Sequence, residues 1–138
     1  MVALGPVVPI LRVFDGALAD EFYLGFLGFR EDWEHRIAGH LPLFRQVSRD
    51  GAALHLSEHF EDGTPGTAVQ IHVQGIEDFA AELEGRGYSH APVELERRAW
   101  GMSLEMSDPF GNQLRFVQVP ARVPHPLPRL AGAVGDRR

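Results

Sequence analysis

Trp100-Gly101-Met102-Ser103-Leu104-Glu105-Met106-Ser107-Asp108-Pro109-Phe110-Gly111-Asn112-Gln113-Leu114-Arg115-Phe116 is the stretch whose reading decides the fold of this chain. An Asp-Pro-x-Gly-Asn turn separates two runs that alternate in polarity, which predicts a β-hairpin. Pro109 presets φ at the second position of the turn, and Gly111 and Asn112 are residues that tolerate φ > 0.

Upstream, the same kind of reading gives the remaining elements. Val7 to Val13 is an apolar, β-branched run containing Pro9 and preceded by Pro6, a first strand near a sheet edge. Asp15 caps a helix predicted over Ala17 to Leu27, with Leu18, Phe22, Tyr23, Phe26 and Leu27 on its apolar face and Gly28 ending it. Strands follow at Arg30 to His35, Leu43 to Arg49 and Ala52 to Ser57. Asp50-Gly51 joins the last two as a two-residue hairpin turn. After the loop Phe60 to Gly66 the order repeats: a strand at Ala68 to Val73, a helix beginning with Ile76, Phe79, Ala80 and Leu83 and closed by Gly87, a strand at Val93 to Glu96, then the hairpin from Trp100 to Gln118. A duplicated strand-helix-three-strand unit is the simplest description. It implies an α+β fold with module 1 over about 6–60, module 2 over about 67–119, and one domain over 1–119. The tail, 120–138, has four prolines and little apolar periodicity, and reads as a flexible arm or a strap on a partner subunit.

Composition narrows the chemistry. The chain has 138 residues, 44% of them hydrophobic and 23% charged, as in an ordinary globular protein. It has no cysteine, so disulfides, thiolate nucleophiles and thiolate metal ligands are excluded. All 13 basic residues are arginine, which removes Schiff-base chemistry and a lysine general base. The formal charge of −6 argues against a nucleic-acid partner. No apolar run is long enough to span a bilayer and no basic region precedes a hydrophobic stretch, so a cytoplasmic protein is expected. No nucleophile elbow surrounds any serine, and no glycine-rich phosphate loop precedes a helix.

The Trp100-Gly101 pair, the Asp108-Pro109-Phe110-Gly111-Asn112 turn, the Leu114-Arg115-Phe116-Val117 run and Leu27-Gly28-Phe29 resemble the glyoxalase/bleomycin-resistance/dioxygenase (vicinal oxygen chelate) superfamily, in its bleomycin-resistance-like branch. The resemblance covers roughly Pro6 to Val119. It implies two βαβββ modules whose curved mixed sheets surround a cavity, and a homodimer. Metal-dependent members hold a divalent ion with side chains from the first and last strands of each module. On this chain those positions are Val8, His55, Ala68 and Arg115. Two have no donor atom and one is a permanent cation, so no cofactor and no metal site are expected. A relocated site built on His55, His59 and His72, with Glu105, is the alternative; it would make the chain a metal-dependent lyase, isomerase or dioxygenase. His35 and His40 flank a loop and are read as solvated.

The resemblance therefore implies a binder without catalytic residues, sequestering a flat aromatic small molecule such as a bleomycin-type antibiotic. The expected ligand-binding residues are Ile10, His55, Ser57, Gln70, His72, Trp100, Met102 and Arg115, with Val8 beside them. Trp100 either stacks on the ligand or packs at the hairpin end. Trp33 is a second wall or a dimer contact. Arg115 suits an anionic or carbonyl group.

Overall fold

The alternation seen in the sequence becomes eight strands in a computed structural model, which describes residues 1–36, 38, 39, 42–88 and 90–120. His40 and the tail beyond Pro120 lie outside the described residues. The first four strands are β1 (Ile10–Arg12), β2 (Arg30–His35), β3 (Phe44–Arg49) and β4 (Ala52–Ser57). They form one sheet in the order β1-β4-β3-β2, with β1 parallel to β4 and the other pairs antiparallel. The second four are β5 (Ala68–His72), β6 (Leu95–Arg98), β7 (Gly101–Ser107) and β8 (Gln113–Gln118). Their order, β5-β8-β7-β6, repeats the first, again with only the β5–β8 pair parallel. This is the duplicated βαβββ unit, two mixed sheets of the glyoxalase/bleomycin-resistance fold.

Local chemistry explains most boundaries. Asp50 takes φ 51° in the β3–β4 turn, a conformation aspartate tolerates better than most residues. The first strand starts later than expected because pairing with β4 begins at Ile10; Pro9 contributes only its carbonyl, which accepts from the His55 N–H at 2.9 Å. In the second module, α2 (Ile76–Arg86) ends at Gly87 with φ 66°, as its sequence predicts.

The first helix departs from expectation. It begins as a four-residue α-helix, α1 (Gly16–Ala19), capped by the Asp15 side chain on the Leu18 N–H, then widens into a π-helical segment over Asp20–Phe26. The Leu27 N–H reaches back to the Phe22 carbonyl at 2.9 Å, one residue beyond an α-helical bond. The wider turn buries Ala19, Phe22, Tyr23, Phe26 and Leu27 together, while Leu18, expected on the apolar face, is exposed. Aromatic packing fills this space: Phe22 and Phe26 both pack against Tyr88 of the second module, at 5.8 and 5.0 Å between ring centroids. One continuous core thus draws on both modules, from Leu11 and Leu54 to Leu104 and Phe116.

The Asp-Pro-x-Gly-Asn turn is the polar pin of that core. Asp108 Oδ1 accepts the backbone N–H groups of Phe110 and Asn112, both at 2.8 Å. Its Oδ2 accepts the Tyr23 hydroxyl at 2.6 Å and the Asn112 amide at 2.8 Å. That amide also donates to the Arg12 carbonyl at 2.9 Å. Gly111 supplies the positive φ, 89°, whereas Asn112 is not left-handed; its contribution is its side chain. Burial and the adjacent Asp108 push the Tyr23 hydroxyl well above its ordinary pKa, so it remains a proton donor.

Asp108→Ala should therefore lower the unfolding free energy by about 3 kcal/mol, because it strands a buried hydroxyl and two turn N–H groups. Tyr23→Phe should cost about 1–2 kcal/mol. Urea unfolding of both variants checks the ordering.

Candidate functional site

Each sheet packs one face on the core and leaves the other open. In the first sheet Leu11, Val47, Leu54 and Leu56 face inward. On the open side, the strand register aligns one row across all four strands: Ile10 opposite His55, His55 opposite Gln46, and Gln46 opposite Trp33. Trp33, Phe44 and His55 form an aromatic wall there. The His55 ring stands edge-on to both neighbours, 5.2 Å from Trp33 and 5.1 Å from Phe44, and Trp33 lies 5.8 Å from Phe44. Trp33 is 41% exposed and Ile10 39%, so the wall is accessible.

A β-bulge shapes this wall. Register shifts between Glu31 and Trp33, so the consecutive residues Asp32 and Trp33 both serve the open face. Asp32 Oδ2 accepts the Gln46 amide at 2.9 Å, and Gln46 Oε1 lies 2.9 Å from His55 Nε2. Hydrogen bonds from Gln46 and Ser48, with help from Arg30, hold the Asp32 carboxyl below its ordinary pKa. Glu31, on the other side of the bulge, pairs instead with the buried Arg45 at 2.9 Å.

The open face of the second sheet is polar. Gln70 lies opposite Arg115, and Arg115 opposite Glu105. His72, on the same side of β5 as Gln70, is exposed. Arg98 joins this face, donating to Ser103 at 3.0 Å and pairing with Glu96 at 2.5 Å.

The expected binding residues thus divide. Ile10 and His55 sit together on the aromatic wall; Gln70, His72 and Arg115 sit together on the polar one. Ser57 is fully buried and ties down the following loop, donating to Asp62 at 2.8 Å and accepting from the His59 N–H at 3.0 Å. Met102 follows the parity of Leu104 and Met106 and packs, half-buried, against the core on the face of β7 away from the open one. Trp100 is half-buried in the turn before β7. Its neighbour Gly101 has φ 154°, and a Cβ there would collide with the Gln118 carbonyl, which explains the glycine of the Trp-Gly pair without a ligand. Sequence reasoning missed Phe44, Gln46 and Asp32. The Asp50-Gly51 turn held the signal for Gln46, since counting back along both strands places it opposite His55.

A cavity of about 700 Å³ lies along the seam between the modules. Phe29, Phe79 and Phe116 line it, with Gln70 and His72 on one side and Arg49 and Glu82 on another. Arg49 grips Glu82 through two bonds of 2.8 and 3.0 Å and lies 5.2 Å from the Phe79 ring centroid; Arg86 adds a second pair at 2.7 Å.

The residues do not fit a metal. His55 faces Ile10, and Arg115 faces Gln70; neither pair, nor Val8 with Ala68, offers the carboxylate and imidazole donors an ion needs. Among the described residues no three His, Asp, Glu or Cys side chains converge to hold an ion. The relocated set of His55, His59, His72 and Glu105 therefore does not assemble.

Glu82 gives a pH prediction. Hydrogen bonds from Arg49, then the charges of Arg49 and Arg86, hold its carboxyl below the usual glutamate range. A depressed folded-state pKa contributes stability above the unfolded value and loses it as pH falls through the folded one. Because the group is about a third exposed, Glu82→Gln should cost under about 1 kcal/mol at neutral pH and nothing near pH 2. Thermal unfolding at the two pH values checks this.

A family model for glyoxalase superfamily proteins matches residues 1–121. No curated protein matches the chain. Among solved structures, the glyoxylase/bleomycin resistance protein/dioxygenase domain from Frankia sp. EAN1pec is 19% identical, with 86% of this chain and 100% of that one covered and a TM-score of 0.67. The bleomycin-binding protein of Streptomyces verticillus, solved with copper(II)-bleomycin, is 24% identical, with 87% and 100% covered and a TM-score of 0.66. An antibiotic binding protein from Streptomyces sp. CB03234 is 22% identical, with 87% and 100% covered and a TM-score of 0.64. At these identities the likeness is one of fold.

Proposed function

This chain belongs to the glyoxalase superfamily, and within it we propose a binder rather than an enzyme: a protein that sequesters a flat aromatic small molecule, of the bleomycin type or similar in shape. The aromatic wall of Trp33, Phe44 and His55 carries the reading, because mutually packed rings on a sheet face, one exposed and two half-buried, form a stacking surface for a planar ligand. Among the described residues no donor set of the kind metal chemistry requires comes together, which favours the binder over the lyase or dioxygenase alternative. Two solved structures of the same fold belong to proteins that bind bleomycin or an antibiotic.

The two open faces are complementary. One is aromatic and weakly polar; the other carries Gln70, His72, Arg115 and Glu105. A homodimer that sets the first face of one protomer against the second face of its partner would enclose a ligand between a stacking wall and a hydrogen-bonding wall. Arg115 and Gln70 then hold carbonyl or anionic groups of the ligand. Binding of this kind needs stoichiometric protein in the cytoplasm and no turnover.

Titration with bleomycin, followed by tryptophan fluorescence, tests the reading. Saturable quenching is expected, Trp33→Ala should weaken binding roughly tenfold, and mass spectrometry should recover the compound unaltered. Chemical conversion of the ligand, or unchanged affinity in Trp33→Ala, would overturn it.

A further inference from the structure

We propose that Asp32 and Gln46 position His55 as its Nε2–H tautomer, leaving Nδ1 as a hydrogen-bond acceptor that selects planar ligands carrying an N–H or O–H donor. The inference rests on the aromatic wall being the binding surface, and it names the chemistry that the wall prefers.

The argument runs along one chain of hydrogen bonds. An ionised carboxylate can only accept, and the bonds that hold the Asp32 carboxyl low keep it ionised. The group of Gln46 that meets Asp32 Oδ2 at 2.9 Å must therefore be its NH₂. That orientation turns Oε1 toward β4, where it lies 2.9 Å from His55 Nε2. An amide oxygen has no proton to give, so Nε2 must donate. Flipping the amide would set its oxygen against the carboxylate, two acceptors with no proton between them. Asp32 is itself fixed by the bulge and by Arg30 Nε at 3.2 Å.

A neutral imidazole with its proton on Nε2 keeps a lone pair on Nδ1. Among the described residues Nδ1 has no partner. His55 is only half-buried, and its ring stands edge-on between Trp33 and Phe44. A planar molecule on this wall meets two apolar rings and one acceptor. A ring N–H, phenol or amide N–H gains a bond there; its methylated counterpart gains none and crowds the nitrogen. Asp32 and Gln46 are positioning residues, since they act on the ligand only through His55.

Two readouts separate this proposal from the binder reading. Long-range proton–nitrogen NMR on protein with ¹⁵N-labelled histidine should show His55 as the Nε2–H tautomer at a pH where the ring is neutral. Gln46→Leu, and independently Asp32→Asn, should shift it toward a mixture of tautomers. Indole should bind the wild type roughly fivefold more tightly than 1-methylindole, and Gln46→Leu should remove most of that ratio. An Nδ1–H tautomer in the wild type, or a tautomer unmoved by both substitutions, overturns the positioning role. If the tautomer is as expected but both probes bind equally, donor selection fails and the binder reading stands. If neither probe binds, the wall is not the binding surface and both readings fall.

Discussion

The buried bond from the Tyr23 hydroxyl to Asp108 is the constraint on which the rest of this structure depends. A carboxylate this deep must have its lone pairs met, and four donors meet it: two backbone N–H groups of its own turn, the Asn112 amide and Tyr23. Three of the four come from the hairpin and one from the first helix. The turn is thereby locked to the opposite module, and the Asn112 amide extends the lock to β1 through the Arg12 carbonyl. Because the pin sits beside the aromatic cluster of Phe22, Phe26 and Tyr88, polar and apolar contacts hold the modules in the same relation. That relation leaves both sheets with one free face.

Much of this could be read from residue order. The spans of β2 and β4 match the stretches that the sequence marks off between turns and loops, and the duplicated unit follows from the repeated order of elements. The π-helical segment could not be read. Its local sequence suits an α-helix, and the wider turn is set by what it must bury and by Tyr23 reaching Asp108, both tertiary facts. Asn112 was legible as a turn residue but not as a bridge, since its second partner is far away in the chain.

The site was legible in part and for similar reasons. Ile10 and His55, both expected to line a ligand cavity, are partners in the β1–β4 register, a pairing that follows from the βαβββ order. The side on which Met102 packs could be read from its own strand: Met102, Leu104 and Met106 share one parity, and the latter two are deeply buried. Trp100, just outside the strand, does not belong to that alternation. The wall's largest ring, Trp33, lies in Arg-Glu-Asp-Trp-Glu-His, a strand with no apolar alternation to mark its faces, and the bulge that orients it appears only in the pairing with β3.

The chain thus keeps the sheets and turns of its superfamily, while the positions that the resemblance assigns to an ion carry Val8, Ala68 and Arg115 beside a single His55. The most direct test of this account is the divalent metal content of untagged protein, purified without chelator and dialysed against trace zinc, nickel, manganese and iron. The account predicts metal far below one equivalent per chain, with bleomycin binding unaffected by chelator. Near-stoichiometric metal, lost in His55→Ala, would contradict it and return the chain to the superfamily's metal chemistry.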